Sequence, residues 1–478
     1  MQVGVFGTGY IYQKYKNEIS RDICCLIDNA PNKQGIIMDG IKVISPAELD
    51  KYEYSYVIIM VSEYEEIEKQ LMRMGISKDK ILYYTQIAVI GNVYPQVHIG
   101  GSTELVVEWL RRNANKQKFL LVSHDFSYTG VPIALMNMAL VLKKMGYAVI
   151  MAGLTGGRLV KELSKKDIAY LEEINLCYET EWFEQIALEF NYIVVGTFVL
   201  NKFVFRCTTM NVKLLWWIHE SDNAMYDRVS LPRFSENIKV FGVGNRVIQC
   251  WKNHYANVDI KKLHYCIPDT RAKEKGTDIE DGDSRFVFAV IGTISYRKAQ
   301  DIVVDAIGCL PQTYREKLRC VIVGSVSGVE TDYCENIESR ISNMEEIEML
   351  GELDQEQVDQ LYRHINVLLC PSRDDPMPIV VTQAMAHARP CIISENVGQS
   401  EYIKQGENGF VFRNQDVDEM AECMIWAMDH RQEMDVIGMR SRKIFEEEFS
   451  KKTMKAAIQN IVAAWNVQME NRVYIKDR

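Results

Sequence analysis

The chain has 478 residues, a length that predicts about three domains. Apolar side chains make up 47% of it and charged ones 25%, which is typical of globular proteins whose domains each bury a core. With 65 acidic residues against 55 basic ones the formal net charge is −10. This charge disfavours sequence-independent nucleic-acid binding, which depends on dense Lys and Arg, and we expect no nucleic-acid partner.

Twelve cysteines are scattered through the chain, several in apolar runs such as DICCLID and NVLLCPS. No spacing among them is typical of a zinc site, and no secretory signal precedes them. We therefore expect reduced, buried thiols and a cytoplasmic protein. The longest apolar runs are well short of about 18 residues, so we expect no transmembrane helix.

The first segment, residues 1–90, predicts a small domain with a parallel sheet. The strand-like runs QVGVFGTG, DICCLIDN and YSYVIIMVS alternate with the helix-like stretches YIYQKYKNEI and EYEEIEKQLMRMG. Strands that alternate with helices are typical of a doubly wound sheet.

Gly7, Gly9 and Asp28 form part of a dinucleotide-binding pattern. The two glycines stand at a strand-to-helix turn, and Asp28 follows about 20 positions later, where an acidic residue would hold ribose hydroxyls. Tyr12 occupies the third glycine position, so the pattern is incomplete. Two interpretations stay open: a weak cofactor site, or a Rossmann-like module whose glycine turn holds no ligand.

A predicted linker, residues 91–117, leads to a second doubly wound unit at residues 118–268. Its predicted strands are FLLVSHD, YAVIMAG, YIVVGT, KLLWWIHE and IKVFGVG, and its clearest helices are IALMNMALVLKKMG and GRLVKELSKKD. The polar, charged run at residues 269–284 predicts a linker between domains.

The third segment, residues 285–478, repeats the pattern. RFVFAVIGT, LRCVIVGS, NVLLCPS and RPCIISE predict strands, and the chain ends in the helical sequence KKTMKAAIQNIVAAWNVQM. Because ligands bind at the carboxyl ends of the strands in such sheets, two units joined by a linker would face each other across a cleft.

The stretch PSRDDPMPIVVTQAMA, Pro371 to Ala386, places two carboxylates before a predicted helix. Pro378 suits the first helical position, and the free backbone N–H groups near Pro378, Ile379 and Val380 would bind a diphosphate. Gln383 lies five residues past Pro378, about 7.5 Å along the helix axis, where a ribose would fall.

Asp375 in this stretch would repel a phosphate, so its carboxylate fits better on sugar hydroxyls beyond the phosphates. The alternative is that Asp374 and Asp375 only cap the helix and favour its dipole.

The longer stretch PSRDDPMPIVVTQAMAHARPCIISENVGQSEYIKQGENGFVF resembles the signature of family 4 of the retaining nucleotide-sugar glycosyltransferases. That signature has an acidic residue, seven further residues, and a Glu followed by Ala-Met-Ala. Asp375 matches the acidic position, whereas Gln383 replaces the Glu. Gly398, Glu401 and the Asn-Gly-Phe at residues 408–410 match downstream.

Further elements of the resemblance, which covers residues 119–465, come earlier in the chain. GTISYRKAQD resembles the family's phosphate-contacting turn, usually Arg-Lys-Gly: Arg297 and Lys298 match, and Ala299 replaces the glycine. His219, at the end of LLWWIHE, matches a histidine that contacts the donor sugar; the alternative is a packed core residue. Gly130, in FSYTGVP, matches the glycine of the first loop.

The resemblance implies an α/β fold: two facing Rossmann-like domains of GT-B type, preceded here by a smaller Rossmann-like domain at residues 1–90. Residues 118–268 would bind the acceptor and residues 285–478 the nucleotide sugar. The C-terminal helix would return toward the acceptor domain.

The implied activity is metal-independent transfer, with retention, of a sugar from a nucleotide diphosphate sugar to an acceptor hydroxyl. The acceptor would be a glycan, a lipid-linked molecule or a protein, in the synthesis of surface polysaccharide or glycoconjugates. No cofactor is expected, and the resemblance leaves open a peripheral contact with the inner face of the membrane. The implied catalytic residues are His219, Arg297, Lys298 and Asp375, and the implied donor-binding residues are Gly130, Met377, Pro378, Ile379, Val380 and Gln383.

Two other functions remain as alternatives. Gln383 and Ala299 both depart from the family pattern and would weaken binding of the donor. Such changes would suit a nucleotide-sugar-binding partner subunit with little activity of its own. The incomplete pattern at Gly7, Gly9 and Asp28 would suit an oxidoreductase, although no partner catalytic domain accompanies it.

Overall fold

The computed structural model describes residues 2–16, 19, 22–61, 64–83, 103–172, 187–271, 284–326 and 330–476. The chain divides into two compact units. The first comprises Met1–Asn115, His124–Ser127 and Ile150–Glu189, and the second comprises Lys116–Ser123, Tyr128–Val149 and Phe190–Arg478.

The strands of these ranges are numbered in chain order. They are β1 (Gln2–Phe6), β2 (Asp22–Ile27), β3 (Ile37–Met38), β4 (Ile41–Ile44), β5 (Tyr56–Ile59), β6 (Ile81–Tyr83), β7 (Lys118–Ser123), β8 (Ala148–Gly153), β9 (Ala169–Glu172), β10 (Tyr192–Gly196), β11 (Leu214–Ile218), β12 (Ile238–Gly242), β13 (Ile260–Lys262), β14 (Phe286–Ile291), β15 (Leu318–Val323), β16 (Ile347–Gly351), β17 (Val367–Cys370), β18 (Cys391–Ser394) and β19 (Phe410–Phe412).

The α-helices are numbered in the same way. They are α1 (Tyr10–Tyr15), α2 (Tyr64–Arg73), α3 (Thr103–Arg112), α4 (Gly130–Lys144), α5 (Leu159–Lys165), α6 (Asn201–Cys207), α7 (Asn223–Tyr226), α8 (Asn245–His254), α9 (Gln300–Cys309), α10 (Gln312–Arg315), α11 (Thr331–Ile341), α12 (Gln355–His364), α13 (Ile379–Ala386), α14 (Val417–Asp429), α15 (Met434–Ile444) and α16 (Lys451–Lys476).

The first unit contains a six-stranded sheet in the order β3-β4-β2-β1-β5-β6, parallel apart from the β3–β4 pair. Its inner strands are apolar without alternation because both faces are covered. Two apolar clusters pack on it, and all the buried members of both lie between Val3 and Tyr83. Elsewhere in this unit, β9 pairs in parallel with residues Ile150–Gly153 of β8.

The segment predicted as a linker at residues 91–117 contains α3, while residues 91–102 lie outside the described ranges. The prediction of a linker was wrong for residues 103–112, because it took the polar run RRNANKQK as unstructured. The two arginines of that run belong to the last turn of α3, where cations interact favourably with the helix dipole. Of the second predicted linker, residues 272–283 also lie outside the described ranges.

The second unit is built on two parallel sheets. Five of its strands run in the order β13-β12-β11-β10-β7, and six more run in the order β16-β15-β14-β17-β18-β19. In the six-stranded sheet the chain leaves β14 toward β15 and β16 and then crosses back to β17. The carboxyl ends of β14 and β17 therefore flank a topological switch point, where open α/β sheets bind ligands.

The long helix α16 packs against the five-stranded sheet of the same unit at β10 and at the residue before β12. Trp465 stacks on Tyr192 with ring centroids 5.5 Å apart, and its indole N–H donates to the carbonyl oxygen of Asn237 at 3.1 Å. The prediction of an α/β fold with parallel sheets is confirmed. Within the described ranges, no helix combines the length and the apolar character needed to cross a membrane.

Candidate active site

A cavity of about 640 Å³ opens in the second unit, between the carboxyl ends of its two sheets. One side is formed by residues that follow β7 and β11, including Gly130 and His219. The other is formed by residues that follow β14, β15 and β17, including Arg297, Lys298 and Asp375. All ten residues predicted for catalysis and donor binding line this cavity, and they are Gly130, His219, Arg297, Lys298, Asp375, Met377, Pro378, Ile379, Val380 and Gln383.

Asp375 lies at the switch point and binds both predicted cations. Its Oδ2 forms an ion pair with Lys298 Nζ and lies 3.3 Å from Arg297 Nη1. Burial alone would raise the pKa of Asp375, but the charges of Lys298 and Arg297 outweigh it and lower that pKa. The carboxylate is therefore ionised at neutral pH, and one of its oxygens is already engaged by two cations.

The turn that carries these cations joins β14 to α9. Lys298 N and Ala299 N both donate to the carbonyl oxygen of Ser295, at 3.0 and 3.1 Å. Ala299 is left-handed, with φ 60° and ψ 43°, and it is the N-cap of α9. A glycine at this position would adopt such angles without strain, whereas Ala does so at a cost of about 1–2 kcal/mol.

Two strand-end glycines shape the floor of the cavity beside this turn. Gly292 follows β14 with φ +149°, and Gly324 follows β15 with φ +158°. A Cβ on Gly324 would lie 1.9 Å from the carbonyl oxygen of Gly292. The close approach of these two backbones requires glycine at position 324. A Cβ on Gly292 would lie 3.7 Å from Lys298 Cε, so glycine there leaves space beside Lys298.

The helix α13 begins one residue later than the sequence predicted. Pro378 is the N-cap with ψ 130°, and the helix starts at Ile379. Since proline has no N–H, the free donors are those of Ile379 and the residues after it. The N-cap is Pro378 and no described side chain makes a cap hydrogen bond, so Asp374 and Asp375 do not cap this helix as the alternative supposed.

Pro378 is held from beneath by a buried polar cluster of Tyr265, Thr382 and Gln399. The Tyr265 hydroxyl lies 3.1 Å from the Pro378 carbonyl oxygen and 2.8 Å from Thr382 Oγ1. Gln399 Nε2 donates to the same carbonyl at 2.8 Å and to Thr382 Oγ1 at 3.0 Å. These bonds fix the start of α13.

Gln383 lines the cavity one turn into α13 and is partly buried. On its protein side the hydroxyl of Tyr362 lies 3.4 Å from Gln383 Oε1, and it also donates to the Val380 carbonyl oxygen at 2.9 Å. The side chain is thus anchored at the position where the family signature has a carboxylate.

His219 follows β11 directly, and its ring packs on Trp217 with centroids 4.5 Å apart. The next residue, Glu220, fixes the backbone here: its Oε2 accepts from His219 N at 3.1 Å and from Phe198 N at 2.9 Å. Its Oε1 accepts from the hydroxyl of Thr197, a β-branched residue with φ 102°. The backbone of His219 is thus held by the Glu220 carboxylate, which also binds Thr197, a residue with a strained backbone.

Asp374 connects the two sides of the cavity. Its carboxylate accepts from Ser221 Oγ, which follows β11, at 3.2 Å and from Nη2 of Arg246, in α8, at 2.6 Å. Its carbonyl oxygen accepts from Arg297 Nη1 at 3.0 Å. Arg246 also donates to Asn396 Oδ1 at 3.1 Å.

The contacts of Gly398, Glu401 and Gly130, the other residues that match the family pattern, indicate what each position requires. A Cβ on Gly398 would lie 1.7 Å from the Pro376 carbonyl oxygen, so this close approach requires glycine. Glu401 accepts hydrogen bonds from Asn245 and Lys262. Gly130 is the first residue of α4, where a Cβ would meet no atom within 4 Å, so its side faces open space.

In the first unit, Gly7 and Asp28 have contacts within the protein. Gly7 has φ +101°, and a Cβ there would lie 2.9 Å from the Met60 carbonyl oxygen. Asp28 accepts hydrogen bonds from the Thr8 hydroxyl at 2.5 Å and from Lys33 Nζ at 3.0 Å. Gly9 caps α1, which has only six residues. These contacts give the turn a structural role that needs no ligand.

Sequence reasoning missed two residues that hold the site, Glu220 and Tyr265, and it treated Asp374 only as a possible helix cap. Glu220 ends the quoted run LLWWIHE, and a carboxylate directly after a buried strand was a usable signal. The hydrogen-bond partners of the Tyr265 hydroxyl and of the Asp374 carboxylate lie more than 100 residues away in the chain, a separation that leaves no local pattern. Among the described residues, no group of three or more His, Cys, Asp or Glu side chains is arranged to hold a metal ion.

Three family models match the chain. Residues 1–82 match C2185-like, N-terminal; residues 115–266 match Glycosyl-transferase family 4; residues 273–444 match Glycosyl transferases group 1. The chain belongs to the family 4 glycosyltransferases. The resemblance drawn from the signature at Asp375 is therefore confirmed, and this glycosyltransferase carries an additional N-terminal domain.

Among curated relatives, this glycosyltransferase is 27% identical over 151 residues to an uncharacterised glycosyltransferase of Methanocaldococcus jannaschii, covering 32% of this chain and 36% of the relative. It is 23% identical over 198 residues to the sulfoquinovosyl transferase of Arabidopsis thaliana, covering 41% and 36%. The matched region spans 35% to 45% of the length of the relatives found.

Solved structures share its fold. HepE of Anabaena, in a structure described with UDP-glucose, aligns with a TM-score of 0.63 at 16% identity, covering 73% of this chain and 99% of HepE. A glycosyltransferase of Rickettsia africae aligns with a TM-score of 0.60 at 18% identity, covering 73% and 98%. The predicted GT-B architecture is confirmed.

Proposed function

We propose that this glycosyltransferase transfers a sugar from a nucleotide diphosphate sugar to an acceptor hydroxyl, with retention at the anomeric carbon and without a metal ion. The observation that carries the proposal is the meeting of Arg297, Lys298 and Asp375 at the switch point between β14 and β17, beside the start of α13. Cations and free backbone N–H groups converge there, as binding of a diphosphate requires.

Each group has a role in the proposed reaction. The bond between the anomeric carbon and the diphosphate oxygen breaks, the acceptor oxygen bonds to that carbon on the same face, and the acceptor proton passes to the departing phosphate oxygen. The negative charge that develops on the diphosphate is stabilised by Lys298, Arg297 and the N–H groups of α13. These fixed cations take the part that a divalent ion plays elsewhere. His219 would lie over the donor sugar from the opposite side of the cavity.

Asp375 fits sugar binding better than nucleophilic attack. Its Oδ2 already binds Lys298 and Arg297, and a carboxylate with a lowered pKa is a weaker nucleophile. Its ionised oxygens can accept hydrogen bonds from sugar hydroxyls. The acceptor would enter beside Gly130, and a role in surface polysaccharide or glycoconjugate synthesis remains part of the proposal.

The alternative of a weakly active partner subunit rests on Gln383 and Ala299, the two departures from the family pattern. Ala299 nevertheless adopts the left-handed conformation that the family's glycine would adopt, so the turn keeps its shape. Gln383 is then the one of these two departures that alters a group facing the donor, since it places a neutral amide where the family pattern has a charged carboxylate.

The test is a thermal-shift screen of UDP, GDP and ADP sugars, followed by a turnover assay with the sugar that binds. Since HepE is described with UDP and UDP-glucose, UDP-glucose is the first donor to try. We expect one nucleotide sugar to raise the melting temperature of the wild type clearly more than that of an Arg297→Ala/Lys298→Ala variant. Binding without turnover, or turnover only with a co-expressed partner, would favour the alternative.

A further inference from the structure

Arg373 lies two residues before Asp375, on the loop that follows β17, and it reaches back to the turn that carries Arg297 and Lys298. Its backbone N–H donates to the Arg297 carbonyl oxygen at 2.9 Å. Its guanidinium donates from Nη1 to the Tyr296 carbonyl oxygen at 2.6 Å and stacks on the Tyr296 ring, 3.9 Å from the centroid. Arg373 therefore binds the turn through main-chain and side-chain contacts.

The same guanidinium is fixed from its other side by Asp301, in the first turn of α9. Arg373 Nη1 lies 3.0 Å from Asp301 Oδ1, and Nη2 lies 2.6 Å from Oδ2, which is a two-bond fork. Tyr333 donates to Asp301 Oδ1 at 2.6 Å. Both members of the pair are mostly buried, with 14% and 20% of their side chains exposed. The guanidinium is thus a rigid support for the turn.

The turn needs such a support. Tyr296 is 59% exposed, and 53% of the Arg297 side chain is exposed, so apolar packing holds the turn only at its buried end, Ala299. Ala299 at its end has a strained left-handed backbone. Besides bonds to Ser295 and the bond from Ile302 N to the Ala299 carbonyl oxygen, the turn's backbone is held by Glu330, which accepts from Tyr296 N at 2.5 Å, and by Arg373.

We propose that Arg373 is a positioning residue that fixes the Tyr296–Ala299 turn and so aims Arg297 and Lys298 at the diphosphate of the donor. Arg373 lies outside the residues that line the cavity, so it acts through those two cations. This inference rests on the proposed function, because it assigns the diphosphate as the group that the cations bind.

An arginine suits this role better than a lysine. The planar guanidinium makes the fork to Asp301, donates to Tyr296 and stacks on the ring at the same time, whereas a lysine ammonium is a single point of charge. Arg373→Lys should therefore restore only part of the function lost in Arg373→Met.

The test is a double-mutant cycle on the affinity for a nucleoside diphosphate, measured by calorimetry with UDP, or with GDP or ADP if the wild type binds one of those instead. The cycle compares wild type, Arg373→Met, Arg297→Ala/Lys298→Ala and the triple variant. Arg319→Met is the matched control, since Arg319 forms an ion pair with Glu348 at 2.7 Å on strands away from the turn. Melting temperatures are measured for every variant.

We expect Arg373→Met to raise the UDP dissociation constant about tenfold in the wild-type background, and to leave it nearly unchanged once Arg297 and Lys298 are removed. Arg373→Lys should fall between, and Arg319→Met should match the wild type. An equal fold-loss in both backgrounds, or no loss in the wild type, would overturn the positioning role alone. A wild type that binds none of the three diphosphates would contradict the proposed function and the positioning role with it.

Discussion

Lys298 and Asp375 form an ion pair across the switch point, between the turn after β14 and the loop after β17. Side-chain exposure is 17% for Lys298 and 9% for Asp375, so the two charges meet with little water between them. Such a pair is stable only while both partners are present, because loss of one leaves a buried charge uncompensated. Their arrangement holds the Lys298 ammonium in place before the donor binds.

Lys298→Ala should lower kcat more than donor affinity. The ammonium matters most when charge builds on the leaving phosphate, so we expect kcat to fall about 100-fold and the donor dissociation constant to change much less. Steady-state turnover and calorimetric binding measure the two quantities. Lys404→Ala is the control, since Lys404 is 76% exposed in a surface pair. An unchanged kcat with only weaker binding would count against the role.

Gln383→Glu should tighten binding of the nucleoside diphosphate. A carboxylate accepts charge-assisted hydrogen bonds from a ribose diol that are about twice as strong as neutral ones, so the gain is about 1 kcal/mol, or roughly fivefold. Gln383→Ala should weaken binding, and neither change should alter which sugar is transferred. The measurement is a titration of UDP against the three proteins.

Tyr362→Phe is a useful companion to that series, because Tyr362 contacts Gln383 from the protein side at 3.4 Å without lining the cavity. If the Gln, Glu and Ala proteins all bind UDP alike, Gln383 does not contact the ribose, and the placement of the donor along α13 is wrong.

The positions of Arg297, Lys298 and Asp375 could be predicted because the strands before them are plainly apolar and parallel strands end at one edge of a sheet. The ion pairs of Asp375 with Arg297 and Lys298 could not be predicted, since the sequence analysis assigned the two cations to the phosphates and the carboxylate to the sugar. Ala299 gave no sign of its left-handed backbone beyond standing where relatives have glycine. The start of α13 was misplaced by one residue because proline is favoured at the first helical position and also tolerated at the cap.

Ala299→Gly should cost little stability, whereas Ala306→Gly in the same helix should cost about 2 kcal/mol. Both alanines are fully buried. At position 306 glycine loses a buried methyl group and helix propensity. Position 299 is the N-cap and not a helical position, so only the buried methyl group is lost there, and relief of the left-handed strain offsets that loss to within about 0.5 kcal/mol. Urea unfolding of the two variants measures the difference, and equal losses would contradict the strained backbone at Ala299.

The N-terminal sheet should be separable from the rest of the chain. Its two apolar clusters draw their buried members from residues 3–83, so we expect a protein that starts at Gly101 to fold and to bind the nucleoside diphosphate. Circular dichroism, a cooperative melting transition and UDP titration check this. A truncated protein that has no cooperative transition would refute separability, whereas loss of turnover alone would not.

The measurement that tests the proposed function most directly is NMR of the anomeric proton during turnover of the nucleotide sugar in the presence of excess chelator. Because the proposed acceptor hydroxyl attacks the anomeric carbon on the face from which the stabilised diphosphate departs, the product should have the anomeric configuration of the donor. Its rate of formation should be the same with and without the chelator. A product of inverted configuration, or activity that is lost on chelation and restored by magnesium or manganese, would contradict the account.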